Sequence, residues 1–389
     1  MGALIATTDP VNPASPIGPD PAAEPLEERI GICLSGGGYR AMLFHVGALW
    51  RLNELGYLPR LGRVSSVSGG SITAATLGLR WSELGFDANG VAAGFADSVV
   101  EPVRELAGET IDAGAVLHGL LSGETVAERV AAAYRKHLFG DATLQALPAD
   151  GPFFVINATN LQTGDLWRFS RLYMADYKVG VVPAPDVELA VAVAASSAFP
   201  PILSPLRLSV DPGAYAEEGR GELFEPPYPT DVVLSDGGVY DNLGLQTVWG
   251  TCKTVLVSDG GGQMAPAPEV HSDWPRQALR VNSVIDNQVR NLRKRQAVAG
   301  FVDKQRHGTY WGIRGHVADY GPPPGSLPCP ADQTRRLAEI KTRLEAMDDL
   351  LQERLINWGY AICDVAMRTW VEPGSPAPAG FPYPKAAVG

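Results

Sequence analysis

Three glycine-flanked turns in this sequence carry side chains able to take part in acyl transfer. The first is Val64-Ser65-Ser66-Val67-Ser68-Gly69-Gly70-Ser71, a β-branched run that turns directly into the helical pattern Ile72 to Leu79. A serine at such a sharp turn has its hydroxyl pushed out at a sheet edge, with small neighbours that admit substrate and leave a backbone N–H for an oxyanion. Ser68, with Gly69 and Gly70 behind it, meets those demands, although Ser66 stands where the G-x-S-x-G pattern has its first glycine. The second turn is Gly36-Gly37-Gly38-Tyr39-Arg40-Ala41, between the apolar run Ile30 to Ser35 and a helix ending near Leu55. Successive glycines at a helix N-terminus let N–H groups face a concave space where negative charge is favoured. The third is Ser235-Asp236-Gly237-Gly238, where a strand-like run ends in a carboxylate. Ser258-Asp259-Gly260-Gly261-Gly262 has the same form and competes for the role of acid. Taken singly, each of these is also an ordinary turn signature.

The elements that must position these turns read as an α/β fold. Strand-like runs at Ile30 to Leu34, Val64 to Val67, Phe153 to Ile156, Val232 to Leu234 and Thr254 to Val257 alternate with helical patterns, which implies a largely parallel sheet. Open sheets of this kind build sites at the carboxyl ends of their strands, so Ser68, Asp236 and the Gly36 to Gly38 loop are expected at one edge. The catalytic unit is expected over residues 29–265, with a helical insertion near 86–140 and a Pro/Gly-rich acidic loop near 211–230. Residues 266–371 read as a helical layer, in which Leu337, Ile340, Leu344, Met347, Leu351, Leu355 and Trp358 repeat as one amphipathic face. Residues 1–28 read as a Pro-rich, disordered arm and 372–389 as a tail of the same character.

Composition narrows the function. With 389 residues, 45% hydrophobic and 19% charged, the chain can bury a large core. Its formal net charge of -11 argues against nucleic acid as the main partner, because that binding needs a basic surface. Cys33, Cys252, Cys329 and Cys363 are widely spaced and show neither a zinc pattern nor a disulfide framework, which favours a reducing, cytoplasmic setting. No cofactor or metal motif is present. The first residues lack the basic and apolar regions of an export signal. The longest apolar stretch, Val187 to Phe199, is too short to cross a bilayer, so membrane contact is expected to be peripheral, at the inner surface.

In chain order the glycine loop with its arginine, the Ser68 elbow and the Asp236-Gly237-Gly238 turn resemble the patatin-like phospholipase family. The likeness is strengthened by Asn157-Ala158-Thr159-Asn160-Leu161-Gln162-Thr163-Gly164 with Phe169, and by Ala194-Ala195-Ser196-Ser197-Ala198-Phe199-Pro200-Pro201. It spans roughly residues 28 to 265. The resemblance implies a three-layer α/β/α domain with a mostly parallel central sheet, here extended by C-terminal helices. It further implies a phospholipase A or lysophospholipase type of lipid acyl hydrolase that needs no cofactor and uses a Ser68–Asp236 dyad. Gly36, Gly37, Gly38 and Gly69 would form the oxyanion hole, and Arg40 would meet the lipid phosphate. The phospholipid or other acyl-ester substrate would bring the enzyme into transient contact with a membrane surface. Ser35, Ser66 and Ala41 depart from the family's pattern and leave the acyl specificity open.

Two other readings are consistent with parts of the sequence. An α/β-hydrolase triad would take its base from His271, His307 or His316, but its nucleophile follows a later strand than Ser68 does. A non-catalytic lipid-binding protein would keep the scaffold and lose the chemistry. His45, His118 and His137 read as helix residues. Arg290, Arg293, Lys294 and Arg295 read as a solvated helix face that could also meet anionic head groups.

Overall fold

The computed structural model describes residues 26–111 and 125–389. The arm expected over residues 1–28 therefore lies outside the described residues up to position 25, and strand β1 already begins at Glu27. His118 and residues 112–124 of the expected insertion also lie outside them.

One ten-stranded mixed sheet organises the chain. Its core is β1 (Glu27–Leu34), β2 (Leu61–Val67) and β3 (Phe153–Asn160), with β9 (Cys252–Asp259) and β10 (His307–Gly312) on the far side of β1. These five strands are parallel in the order β10-β9-β1-β2-β3. Ile32, Cys33 and Leu34 of β1 are fully buried, as expected of a strand covered on both faces. Beyond β3 the sheet turns antiparallel, through β4 (Asp165–Phe169), β5 (Tyr173–Asp176) and β6 (Gly180–Pro183). β7 (Leu206–Ser209) and β8 (Asp231–Asp236) form a further antiparallel pair attached to β3.

Helices cover the sheet. α1 (Gly38–Glu54) lies between the sheet and α10 (Asp349–Ala366) and is buried along almost its whole length. The two helices touch backbone to backbone: a Cβ on Gly47 would sit 1.9 Å from the Ile356 carbonyl oxygen, and one on Gly359 at 1.9 Å from that of Phe44. Arg51 of α1 reaches Asp364 of α10 at 2.9 Å, and both are buried. α2 (Gly69–Leu79) and α5 (Leu189–Ser196) pack on the central strands, with α3 (Glu101–Ala107) and α4 (Val126–Tyr134) in the inserted region.

The C-terminal third departs from the all-helical expectation. It contributes β10, and its amphipathic repeat is divided between α9 (Ala331–Glu339) and α10. Between the two helices the chain is extended and straps across the N-terminus of α1, with the Tyr39 N–H bonded to the Arg343 carbonyl at 3.0 Å. The tail is irregular but packed, with Ala386 and Val388 buried.

Candidate active site

Ser68 follows β2 and caps α2 with φ 51° and ψ −121°, a positive-φ conformation that a non-glycine residue adopts only when its surroundings hold it. What holds it is Ser196 at the end of α5. The Ser196 hydroxyl accepts the Ser68 N–H at 2.9 Å and donates to the Asn157 carbonyl at 2.6 Å, tying the elbow to β3. Glycine is required behind the elbow, since a Cβ on Gly69 would lie 2.2 Å from the Gly38 carbonyl oxygen and one on Gly70 at 2.3 Å from that of Leu34.

Asp236 reaches Ser68 from the opposite direction. The sequence reading put it at the end of a parallel strand, but β8 is antiparallel to β3. It pairs with the same edge of β3 that β2 occupies, beginning where β2 stops: Val67 is opposite Asn157, and Asp236 is opposite Ala158. The two strands therefore meet tip to tip along β3. The Asp236 N–H is held by the Ala198 carbonyl at 2.9 Å, and its carbonyl accepts the Thr159 hydroxyl at 2.8 Å. Its carboxylate accepts the Gly238 N–H at 2.7 Å, and the Ser68 side chain lies close enough to favour its ionised form. Burial pushes this carboxyl up to about 6, against the opposing pull of the Gly238 N–H, the Ser68 hydroxyl and Arg290.

The glycine loop lies across from the pair. Gly37 and Gly38 have φ 148° and 61°, and Gly38 opens α1. Among the described residues no backbone or side-chain acceptor takes the N–H of Gly37, Gly38 or Gly69. Gly36 differs, because its N–H already bonds the Asn242 carbonyl at 3.0 Å. Of the four glycines expected in an oxyanion hole, Gly36 is thus a packing residue: a Cβ there would fall 2.5 Å from Asn242 Oδ1 and 3.1 Å from Ser68 Cβ.

Arg40 lies beneath the glycine loop. It is 2% exposed, and its guanidinium donates to the carbonyls of Gly260 and Ile340 and to Thr342 Oγ1. Burial lowers it to about 10, which leaves it charged at neutral pH. It anchors the C-terminal strap over the glycine loop, and each of its three guanidinium nitrogens has a partner there. Arg290 of α8 (Trp274–Val302) acts electrostatically on Asp236; it donates to the Gly262 carbonyl at 2.9 Å and pairs with Asp286 at 2.6 Å. Sequence reading saw Arg290 only as one of a basic cluster. It also missed Asn242, whose buried Nδ2 has no partner among the described residues.

The competing acid is committed elsewhere. Asp259 is buried, yet Lys294 at 2.7 Å, the Tyr310 hydroxyl at 2.7 Å and the Gly261 N–H at 2.9 Å hold its carboxyl well below the usual range. Of the histidines weighed as bases, His271 and His307 are exposed and His316 is partly so. His45 is buried between Ser258 Oγ and the Ser35 carbonyl, and burial lowers it to about 4. Among the described residues no histidine hydrogen-bonds Ser68 or Asp236. No group of three or more His, Cys, Asp or Glu is arranged among them to hold a metal ion.

The pair is recessed, and exposed apolar side chains follow residues that bond Asp236. Ser68 is 7% exposed, while Phe199, Ile202 and Val239 nearby in the chain to Ala198 and Gly238 are exposed. A separate cavity of about 230 Å³ opens at the amino ends of β2 and β3, lined by Arg63, Phe153 and Arg171 among others, and does not include the pair.

A strained serine meeting a buried, proton-hungry carboxylate at one edge of an α/β sheet is the geometry of a hydrolase-type site. The family model described as Patatin-like phospholipase matches residues 32–249, more than half of the chain. The chain belongs to the patatin-like phospholipase family. Among solved structures, human GIVD cytosolic phospholipase A2 in complex with methyl gamma-linolenyl fluorophosphonate is similar with TM-score 0.50 and 15% identity, over 86% of this chain and 57% of that one. VipD from Legionella pneumophila is similar with TM-score 0.37 and 16% identity, over 87% of this chain and 66% of that one. The chain thus spans somewhat over half the length of the phospholipase A2 it matches. A comparison with curated proteins finds no match.

Proposed function

We propose that this protein hydrolyses carboxylic esters of membrane lipids, as a phospholipase A or lysophospholipase, with Ser68 as nucleophile and Asp236 as base. The observation that carries the reading is the buried Asp236 carboxyl, raised to about 6 and acted on by the Ser68 side chain beside it. An aspartate at its ordinary value of 3.8 is a weak base for a serine, and burial removes much of that mismatch.

Ser68 Oγ attacks the ester carbonyl as its proton passes to Asp236. The oxyanion so formed is stabilised by the N–H groups of Gly37, Gly38 and Gly69. Collapse of the tetrahedral intermediate breaks the ester bond, and the leaving alkoxide takes the proton from Asp236. Water, deprotonated by the same carboxylate, then attacks the acyl-Ser68 ester, and as the fatty acid is released Ser68 Oγ takes that proton back from Asp236. The exposed apolar side chains of Phe199 and Val239, each next in the chain to a residue that bonds Asp236, suit an acyl chain, and membrane contact during turnover follows from such a substrate. No helix among the described residues is long and apolar enough to cross a membrane.

A panel of phospholipids, lysophospholipids and neutral acylglycerols, with products identified by mass spectrometry and Ser68→Ala as control, tests the proposal. Release of fatty acid that disappears in the variant is expected. Equal release by the variant would refute it, and no release from any ester would favour the non-catalytic lipid-binding alternative.

A further inference from the structure

The strand β2 has the candidate active site at one end and a cavity at the other. Arg63, near its amino end, lines the cavity, and Ser68 stands five residues further on, roughly 16 Å away along the strand. The Ser68–Asp236 pair makes no use of this end of the sheet. Four charged residues line the space, Arg29, Arg63 and Arg171 against Glu27 alone, in a chain whose formal net charge is -11. Asp150 belongs to the same loop as the lining residues Ala149 and Gly151 but does not itself line the cavity.

These cations are only lightly engaged by the protein. The Arg171 carbonyl accepts the Gln145 side chain at 2.9 Å, whereas its half-buried guanidinium has no hydrogen-bond or ion-pair partner among the described residues. One nitrogen of Arg63 reaches the Thr247 carbonyl at 3.3 Å, and its guanidinium carbon lies 4.9 Å from the centre of the Phe153 ring. Arg29 meets Glu27 at 3.9 Å, and both are exposed. The remaining lining is largely apolar: Leu147 and Phe154 are buried, and the rings of Phe153 and Tyr173 stand 5.9 Å apart.

We propose that this cavity binds a phosphate monoester carried on a small apolar group. Three cations less one anion leave the lining with a charge of +2, which matches a phosphate dianion better than a carboxylate. Guanidinium groups also pair with phosphate oxygens two at a time, with a geometry that fixes the bound group. At about 230 Å³ the space takes the phosphate and about one ring, less than the roughly 300–1,000 Å³ of pockets that enclose drug-sized ligands. The cavity is separate from the Ser68–Asp236 pair, so the site stands whatever reaction the pair performs.

The test titrates the full chain with phenyl phosphate in a calorimeter, with inorganic phosphate and benzoate as comparison ligands. Vesicles of ether-linked phosphatidic acid present the same chemical group on a lipid, and their binding is read by sedimentation. Phenyl phosphate is expected to bind with a Kd of about 1 mM or tighter, at least about tenfold better than either comparison ligand. Its affinity should increase as pH rises through about 6, where a phosphate monoester takes its second charge. Arg171→Gln should weaken binding at least about tenfold while moving the unfolding midpoint by no more than about 2 °C, since this guanidinium supports nothing else in the fold. Binding that Arg171→Gln leaves unchanged would overturn the proposal, as would binding of neither phenyl phosphate nor the vesicles. Benzoate bound as tightly as phenyl phosphate would overturn it too, because the cavity would then be a carboxylate site. Vesicle sedimentation that Arg171→Gln abolishes, without binding of phenyl phosphate, would uphold the phosphate site and assign its ligand to a lipid head group.

Discussion

Replacing Asp236 by asparagine should make the protein more stable as it makes it inactive, and the gain should grow with pH. The carboxyl moves from an ordinary value of 3.8 to about 6 on folding, chiefly because burial disfavours its charge. Each tenfold change in proton affinity is worth about 1.4 kcal/mol, so ionised Asp236 lowers folding stability by about 3 kcal/mol. The folded state binds this proton more tightly than the unfolded chain does. The group's contribution is therefore fully present below pH 3.8 and is lost as pH rises through about 6. Asparagine imitates the protonated form: its carbonyl can keep the Gly238 N–H, and its amide can donate to Ser68 Oγ. The variant should match wild type near pH 4 and exceed it by up to about 3 kcal/mol at pH 8, a rise of roughly 4 °C in Tm for a chain of this size. Thermal and urea unfolding of both proteins across that range read the difference directly. A stability difference that does not change with pH would refute the reasoning, since it would mean that Asp236 does not carry the buried charge.

Other consequences follow from the same geometry. Activity on a soluble ester should rise with pH through an apparent pKa near 6 and then level off, because only ionised Asp236 accepts the Ser68 proton; a profile flat from pH 5 to 8 would contradict this. Arg40→Ala should destabilise the fold by about 2–4 kcal/mol, by freeing the strap and leaving the Gly260 and Ile340 carbonyls unsatisfied. In kinetic assays its losses on phospholipid and on uncharged ester should be equal, and a selective loss on phospholipid would restore the phosphate role. Asp259→Asn should lower stability by about 1–3 kcal/mol in denaturant unfolding, by depriving Lys294 and Tyr310 of their partner, while leaving most of the turnover.

The parts of this account legible in the sequence are those set by local pattern. β1, β2, β3 and β9 are runs of buried apolar residues that end in glycine turns, and such runs declare themselves. The elbow at Ser68 was legible because its strain needs Gly69 and Gly70 beside it. Strands β4 to β6 were not, since they have only four or five residues each and are joined by tight turns. β10 was hidden in His-Gly-Thr-Tyr-Trp-Gly, whose two glycines weaken any strand signal. The approach of Asp236 along an antiparallel strand depends on which edge of β3 is vacant beyond Val67, a property of the sheet and not of the motif. The anchoring contacts of Arg40 are not legible, because its partners Ile340 and Thr342 lie 300 residues or more away in the chain. The glycine loop shows where an anion could be held but not that Asn242 already takes the Gly36 N–H.

The central claim is that Ser68 is activated by Asp236 without a histidine. Labelling with a lipid-like fluorophosphonate, followed by peptide mass spectrometry, tests it most directly when wild type, Asp236→Asn and alanine variants of His271, His307 and His316 are compared. The account predicts a single adduct on Ser68, formed at least about 10²-fold more slowly in Asp236→Asn and at near wild-type rates in all three histidine variants. An adduct on another serine, or undiminished labelling in Asp236→Asn with loss in one histidine variant, would contradict it.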